Sequence, residues 1–154
     1  MKDGRAVNIT TKSRYAVRAL VELAEQSEEN GGQPVPLSRV ANSRQVPMRF
    51  LEQLFARLRR AGVVRSHRGV AGGFSFARSP DEITVLEVVQ LLDGPLGASL
   101  CALPQGCERR EYCAVSDVWL QVKQATEAVL AQVTIGQLTA REKERRGRRR
   151  GAGD

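Results

Sequence analysis

The sequence predicts a mainly α-helical protein with a small β wing: a winged helix-turn-helix followed by a long C-terminal dimerisation helix. Three observations predict this fold class. Two helical segments lie only three or four residues apart, two short β-prone runs flank a glycine-rich basic turn, and an apolar stripe of about five helical turns lies near the C terminus. The chain has 154 residues, enough for one compact domain or a small domain with an oligomerising extension, which excludes a large multidomain enzyme.

Helical periodicity and turn residues define the first three helices. Residues 11–25 place their apolar side chains on one side, with Thr10 or its neighbour as the candidate N-cap, and a turn cluster, SEENGGQP, follows. A short helix then covers about residues 36–42. After the break SRQV, a third helix begins at a proline, covers residues 47–61 and is stopped by Gly62. Two helices so close together are typical of a helix-turn-helix.

The third helix has two chemically different faces. Its leucine and phenylalanine side chains at positions 51, 54, 55 and 58 share one face, at the spacing of a buried helical stripe. The opposite face is basic and amide-bearing and carries Arg49, Glu52, Gln53, Ala56 and Arg60. In the major groove, arginine pairs with guanine, glutamine with adenine and glutamate with the cytosine amino group. The outward face therefore has the chemistry of a helix that reads base edges.

A two-stranded wing is predicted after Gly62. The segment VVRSHRGVAGGFSFAR contains two short β-prone runs around a glycine-rich basic turn. Gly72 and Gly73 are predicted to supply the positive φ that a tight turn needs, and Arg68 at its tip can reach a phosphate or enter the minor groove. His67, the only histidine of the chain, is interpreted as a surface residue near DNA rather than as a metal ligand.

Positive charge is concentrated where the helix-turn-helix and the wing are predicted. The formal net charge of the chain is +7, and residues 39–78 alone carry nine arginines against one acid, Glu52. Such a local excess is typical of a surface that meets a polyanion, most often nucleic acid, although a solvated basic face without a partner is the alternative. The nine are Arg39, Arg44, Arg49, Arg57, Arg59, Arg60, Arg65, Arg68 and Arg78.

Two further helices are predicted after the wing. The first covers residues 84–93, with a capping box of Thr84 and Glu87, and a loop up to Cys113 follows. The second begins at about residue 115, and its apolar stripe needs a cover. A partner subunit's equivalent helix would cover it and would let a dimer span two half-sites, so we predict a homodimer, with folding back onto the same chain as the alternative. The stripe consists of Val115, Val118, Trp119, Val122, Ala125, Val129, Leu130 and Val133.

The sequence therefore predicts three regions. Residues 1–80 form the winged helix-turn-helix DNA-binding domain, residues 81–140 contain the cysteine loop and the dimerisation helix, and residues 141–154 form a basic disordered tail. No apolar run reaches the length of a membrane span, and the first ten residues lack the apolar stretch of a signal peptide. We therefore expect a cytoplasmic protein with no membrane partner.

All three cysteines lie in the predicted loop. Cys101, Cys107 and Cys113 have the spacing C-x5-C-x5-C. A reducing cytoplasm disfavours a disulfide framework, and an odd number leaves at least one thiol unpaired in a monomer. Three thiolates on a flexible loop converge on one metal centre only if that centre organises the loop. Zinc modules usually use shorter gaps between ligands, but the spacing by itself leaves a cluster, zinc and a thiol switch open.

The combined motifs resemble those of the winged-helix transcriptional regulators of the IscR and NsrR type, the Rrf2 family. The resemblance extends from about Val7 to Leu138 and rests on ITTKSRYAVRALVELA, FLEQLFARLRRAGVVRSHRGVAGGFSFAR, ITVLEVVQLLDG, and the triple cysteine followed by VWLQV and VTIGQL. It implies a homodimer with one winged helix per subunit. It also implies a 2Fe–2S or 4Fe–4S iron–sulfur cluster on Cys101, Cys107 and Cys113, whose state controls promoter binding.

The resemblance also implies roles for individual residues. Ser116 stands where IscR-like members carry a histidine as fourth ligand, and Arg14 stands where NsrR-like members can use an acidic residue. The fourth ligand is therefore open among Ser116, Asp117, Glu111, a residue of the other subunit and a small exogenous molecule. The implied DNA contacts are Arg49, Glu52, Gln53, Arg60, Arg68 and Gly72, with the first three reading bases and Arg68 reaching the backbone or the minor groove.

Two other functions compete with a cluster-controlled regulator. A regulator of the same fold could use zinc or a thiol switch, and metal and sulfide analysis separates these possibilities. An enzyme with a cysteine nucleophile would need a base close to the thiol, but the sole histidine belongs to the wing and no phosphate-cradling loop is present. We therefore predict that the protein is not an enzyme.

Overall fold

The computed structural model describes residues 9–97 and 107–151. Six α-helices and one two-stranded sheet lie in this part of the chain, which confirms the predicted mainly α-helical class with a small β wing. Single 3-10 turns at Pro80–Glu82 and Arg110–Tyr112 precede α4 and α5. The elements are α1 (Thr11–Glu29), α2 (Leu37–Arg44), α3 (Met48–Arg60), β1 (Val64–His67), β2 (Gly73–Phe76), α4 (Val85–Asp93), α5 (Ala114–Ala131) and α6 (Ile135–Gly151).

The turn between α2 and α3 forms at the predicted break. Gln45 follows α2 in the left-handed conformation, with φ of 52°. The next backbone N–H, of Val46, donates to the carbonyl of Ala41 at 3.0 Å, and the Val46 side chain is buried. Pro47 precedes α3 because its fixed φ suits the start of a helix and it needs no partner for a backbone N–H. This tight turn fixes the angle at which α3 leaves the rest of the domain.

The wing is an antiparallel hairpin in which His67 lies opposite Gly73. The sequence-based prediction of positive φ at Gly72 is wrong: Gly73 has φ of 150°, and Gly69 takes the other positive φ of the hairpin, at 99°. Gly73 is required by close approach as well, because a Cβ there would lie 2.3 Å from the carbonyl oxygen of Val35. Val35 and Phe74 exchange backbone hydrogen bonds of 2.8 and 2.9 Å, so the wing is fixed to the body of the domain.

One hydrophobic core joins the helices and the wing. Phe55 of α3 is fully buried and meets Phe74 of β2 edge to face, with ring centroids 5.0 Å apart. The same cluster includes residues on both sides of the predicted boundary at residue 80: Ile83, Val88, Leu92 and Ile135 pack with the helix-turn-helix. The DNA-binding part and the segment that follows it therefore share one folded unit.

Asp93, the last residue of α4, caps the first turn of α1. Its carboxylate accepts hydrogen bonds from the Thr10 backbone N–H at 3.0 Å, the Thr10 hydroxyl at 2.5 Å and the Ser13 hydroxyl at 2.5 Å. Burial opposes ionisation of Asp93, but the hydrogen bonds from Ser13 and Thr10 outweigh it and lower the pKa of this carboxyl. Thr10 is the N-cap residue, as predicted, but its hydroxyl donates to Asp93, 83 positions away, instead of accepting from a backbone N–H of α1.

The predicted disordered tail is wrong for residues 141–151, which continue the helix α6. Acidic and basic side chains of α6 form ion pairs with side chains of α1 and α2, and these ion pairs hold α6 against the two helices. Arg44 of α2 contacts Glu22 at 2.6 Å and Glu142 at 2.8 Å, and Arg146 contacts Glu25 at 2.8 Å. Composition predicts disorder here because it does not show that α1 offers partners for these charges.

Candidate nucleic-acid interface and cysteine segment

Helix α3 presents one buried face and one exposed face, as predicted. Its buried face consists of Leu51, Leu54, Phe55 and Leu58. The exposed face carries Arg49, Glu52, Gln53 and Arg60, the side chains implied to contact DNA. Arg49, Glu52 and Gln53 lie in the first half of the helix, directly after the turn, where helix-turn-helix proteins place base-contacting residues. The Nε of Arg60 donates to the Ala56 carbonyl at 3.3 Å, which directs this side chain along the helix.

The tip of the wing combines a cation with an apolar side chain. Arg68 is exposed, and Val70, two residues on, is completely exposed (109% relative accessibility). Gly72 is needed for the compact turn, because a Cβ there would lie 2.4 Å from the His67 carbonyl oxygen. The His67 ring pairs with the hydroxyl of Ser75 across the strands, at 2.7 Å. Val70 was not among the predicted site residues. The sequence pattern that could have pointed to it is an apolar residue between the glycines of an exposed turn.

Three of the nine arginines of the basic segment serve the fold. Arg44 is held in the ion-pair network with α1 and α6, and Arg78 pairs with Glu87 of α4. Arg57 donates to the carbonyls of Leu91 at 2.9 Å and Leu92 at 3.1 Å, the end of α4. The other six are exposed and give the surface its positive field: Arg39, Arg49, Arg59, Arg60, Arg65 and Arg68.

Two of the three predicted metal-ligating cysteines lie in the described residues. Cys107 is exposed, Cys113 is half-buried directly before α5, and both are free thiols. Cys101 lies outside the described residues. Within residues 9–97 and 107–151, no group of three histidine, cysteine, aspartate or glutamate side chains is arranged to hold a metal ion. Soft thiolates suit iron–sulfur centres, so the donor chemistry fits a cluster once Cys101 is counted with the other two.

The candidates for a fourth ligand have different surroundings. Ser116 is buried, and its hydroxyl donates to the Cys113 carbonyl at 2.7 Å, which ties the first turn of α5 to a cysteine. Glu111 and Asp117 are exposed. Arg14 is exposed on α1 and offers no lone pair to a metal. The carboxylates of Glu111 and Asp117 are therefore the accessible oxygen donors beside Cys113.

The end of α4 connects the cysteine segment with the DNA-binding helices. Its last turn accepts the hydrogen bonds of Arg57 from α3, and Asp93 accepts those from the first turn of α1. The next residue, Gly94, has φ of 82° and opens the segment that leads to the cysteines. A change in that segment therefore acts on a turn that is bonded to both α1 and α3.

Helix α5 exposes an apolar face. Its side chains are 39–63% exposed at Val115, Val118, Trp119, Val122 and Val129, the predicted stripe. Contiguous exposed apolar surface of this kind marks an interaction site in a soluble protein. Among the described helices, none combines the length and the apolarity needed to cross a bilayer.

Comparisons with known proteins agree with this geometry. Residues 9–141 match the family described as "Rrf2: Iron-dependent Transcriptional regulator". The HTH-type transcriptional regulator IscR of Aliivibrio salmonicida is 33% identical over 132 residues, which cover 86% of this chain and 77% of that protein.

Two solved structures share the fold over most of both chains. T. potens IscR has a TM-score of 0.72 at 32% identity and covers 89% of each chain. CymR, the global cysteine regulator of B. subtilis, has a TM-score of 0.73 at 32% identity over 86% of this chain and 96% of CymR.

Proposed function

The chain belongs to the Rrf2 family of transcriptional regulators, and from this premise we propose that it is a cytoplasmic homodimer whose promoter binding is controlled by an iron–sulfur cluster on three cysteines. Its relatives are HTH-type regulators, so the chain is a DNA-binding transcriptional regulator and not an enzyme. In the proposal, residues 1–80 read DNA, and residues 81–140 sense and dimerise. The observation that carries the DNA-binding part of the proposal is the exposed polar face of α3, fixed by a buried opposite face.

DNA reading is divided between α3 and the wing. Arg49, Glu52 and Gln53 enter the major groove and contact base edges, because they occupy the exposed first half of the second helix of the helix-turn-helix. Arg60 and the wing residue Arg68 contact the phosphate backbone or the minor groove. Gly72 contributes by keeping the wing turn compact, so that its backbone can approach DNA.

Replacing Gln53 by alanine is expected to weaken operator binding by about 1–3 kcal/mol and to relax specificity at one base pair, because a bidentate base contact is lost. Arg49→Ala is expected to act in the same way at another position. Binding is measured on an operator selected from a random DNA library and on its single-base variants. Gln124→Ala, which removes an exposed glutamine from α5, is the matched control and leaves affinity unchanged. A Gln53→Ala loss that is equal on every sequence contradicts base reading.

The three cysteines would hold the cluster, and Glu111 or Asp117 would supply an oxygen ligand beside them. A bound iron–sulfur cluster supplies a centre that is sensitive to oxidation, nitric oxide and iron supply. The chain's contribution would be mechanical: a change in the state of the cysteines would act on the end of α4 at Gly94 and on the start of α5 at Cys113. Arg57 then transmits the change to α3, and Asp93 transmits it to α1.

Cys113→Ser is expected to lower the iron and sulfide content of anaerobically purified protein to near zero and to remove its brown colour, because a thiolate ligand is lost. Cys101→Ser and Cys107→Ser are expected to behave alike. Tyr112→Phe keeps every thiol and changes an exposed neighbour, so it retains iron. Unchanged iron in Cys113→Ser contradicts the ligand assignment.

A thiol switch is the second candidate, and the exposed free thiol of Cys107 favours it. The same purification distinguishes the candidates. A reversible disulfide in metal-free protein supports the switch, zinc without sulfide supports a zinc site, and either result contradicts the cluster.

The homodimer is supported by the exposed apolar face of α5. This face lies on a helix that begins directly after Cys113, so contacts between two subunits and the state of the cysteines would act on the same element. A pair of α5 helices would cover the face and would hold two copies of α3 at a fixed separation, as two half-sites of DNA require.

A further inference from the structure

One side of α6 carries arginines that take no part in the ion pairs between α6 and α1. Leu138, Arg141, Arg145 and Arg148 follow one another at spacings of three and four residues and form one stripe. On the α1 side, Val17, Arg18 and Val21 complete an open groove of about 390 Å³ between the two helices. Its floor is apolar, and its rim carries three guanidinium groups, from Arg18, Arg141 and Arg145.

The rim charges are not neutralised within the described part of the chain. Four acids of α1 and α6 are already paired with basic side chains: Glu22 and Glu142 with Arg44, Glu25 with Arg146, and Glu28 with Lys143. Glu142 also lines the groove, but Arg44 at 2.8 Å and Arg146 at 2.9 Å hold its carboxylate. None of the rim arginines forms an ion pair with a described residue. The guanidinium groups of Arg18, Arg141 and Arg145 are therefore available to an anion.

One rim residue of the groove, Arg18, is connected to the first turn of α3 through aromatic side chains. The ring of Tyr15 on α1 meets the ring of Phe50 edge to face, 5.8 Å between centroids, and Phe50 is the neighbour of Arg49. The guanidinium of Arg18 stacks over the same Tyr15 ring, 5.7 Å from its centroid. Arg18 is thus separated from the first turn of the recognition helix by two aromatic side chains. The cationic rim continues the surface proposed to meet DNA.

We propose that this groove is a second DNA-contact surface that binds backbone phosphates flanking the base-read half-site. The proposal rests on the DNA-binding part of the proposed function and is independent of the cysteines. Along α6, Arg141 to Arg148 extends over about 10 Å, enough to follow more than one phosphate of a strand. The aliphatic parts of the arginine side chains lie on the apolar floor and direct their guanidinium groups outward. An acidic protein segment would use the same charges, but the contiguity with α3 favours DNA.

The test compares Arg145→Gln with Arg150→Gln. Both remove one positive charge from α6, but Arg150 lies on the opposite flank, near Glu25 and Glu29. Binding is measured against salt concentration on a duplex trimmed to the selected operator and on one extended by about one helical turn at each end. Arg145→Gln is expected to weaken binding several-fold on the extended duplex and to reduce the slope of log K against log salt by about one. It is expected to have little effect on the trimmed duplex, and Arg150→Gln is expected to change neither.

Three results overturn the proposal. Equal effects of Arg145→Gln and Arg150→Gln indicate net charge alone, and equal effects on the two duplexes exclude flanking contacts. No effect of Arg145→Gln leaves an acidic protein segment as the occupant. Thermal unfolding of each variant confirms that the fold is kept. If the parent protein shows no sequence-selective binding, the proposed function fails as well, whereas selective parent binding with an unaffected Arg145→Gln contradicts only the groove.

Discussion

Arg44→Met is expected to destabilise the protein by about 3–5 kcal/mol, because it leaves buried carboxylates without their countercharge. The Arg44 side chain is 11% exposed, and those of its partners Glu22 and Glu25 are 7% and 4% exposed. The same guanidinium reaches Glu142, so its loss also loosens α6 from the helix-turn-helix. Methionine keeps the apolar stem and removes only the charge. The free energy of unfolding in urea measures the effect.

The pH dependence of this destabilisation has a definite sign. Burial opposes ionisation of Glu22, but hydrogen bonds from Gln26 and Ser43 and the charge of Arg44 outweigh it and lower the pKa of this carboxyl. In the parent, Glu22 therefore stabilises the fold at pH values above the pKa that it has in the unfolded chain. This stabilisation is lost as pH falls through the pKa of Glu22 in the folded protein. Without Arg44, its charge and its hydrogen bond no longer favour the carboxylate, so the pKa of Glu22 is higher in the variant than in the parent. The difference between parent and variant is thus largest near neutral pH and shrinks as pH falls through the range in which glutamate titrates.

Glu25 behaves differently from its neighbour. Its burial, together with repulsion from Glu142 and Glu22, outweighs the attraction of Arg146 and raises the pKa of this carboxyl. The contribution of Glu25 to the free energy of unfolding is fully present below the pKa that glutamate has in the unfolded chain. It is lost as pH rises through the pKa of Glu25 in the folded protein.

Arg39→Met, which removes an exposed arginine from the helix that also carries Arg44, serves as the control and costs little stability. A comparable loss in both variants, or a loss for Arg44→Met that does not depend on pH, contradicts the buried-network account.

Val118→Glu is expected to convert the proposed homodimer into monomers and, with it, to abolish tight binding to a two-half-site operator. Val118 is 52% exposed in the middle of the apolar face of α5, so a glutamate there folds without strain in the single chain. In the dimer it buries a carboxylate among apolar side chains, which costs several kcal/mol. A cost of about 3 kcal/mol corresponds to roughly a hundredfold weaker association. Light scattering and operator binding measure the two effects.

Gln124→Glu is the control for this substitution. Position 124 is exposed on the other side of α5, so the same carboxylate stays in water and the dimer persists. A Val118→Glu protein that remains dimeric contradicts the proposed use of α5. If the parent dimer binds a single half-site as tightly as it binds two half-sites, dimerisation does not serve to space the two copies of α3 on DNA.

Local sequence pattern was enough to predict the elements that are proposed to read DNA. The extent of α3, its buried and exposed faces, the tight turn before it and the antiparallel wing follow from periodicity, prolines and glycines over a few residues. The exposed stripe of α5 follows in the same way, and the spacing of the cysteines is visible without coordinates. These features are local because backbone geometry within one helix or hairpin decides which side chains share a face.

Tertiary structure alone decided which arginines of the basic segment serve the fold and which stay exposed. In the sequence, Arg44 and Arg49 are equivalent members of one basic segment, yet one is buried against Glu22 and Glu142 and the other faces solvent. Likewise, folding against α1 orders residues 141–151, and Asp93 binds Thr10, the N-cap residue of α1, 83 positions earlier in the chain. The physical reason is that an ion pair or a cap depends on side chains that meet only after distant helices have packed, and formal charge carries no information about that distance.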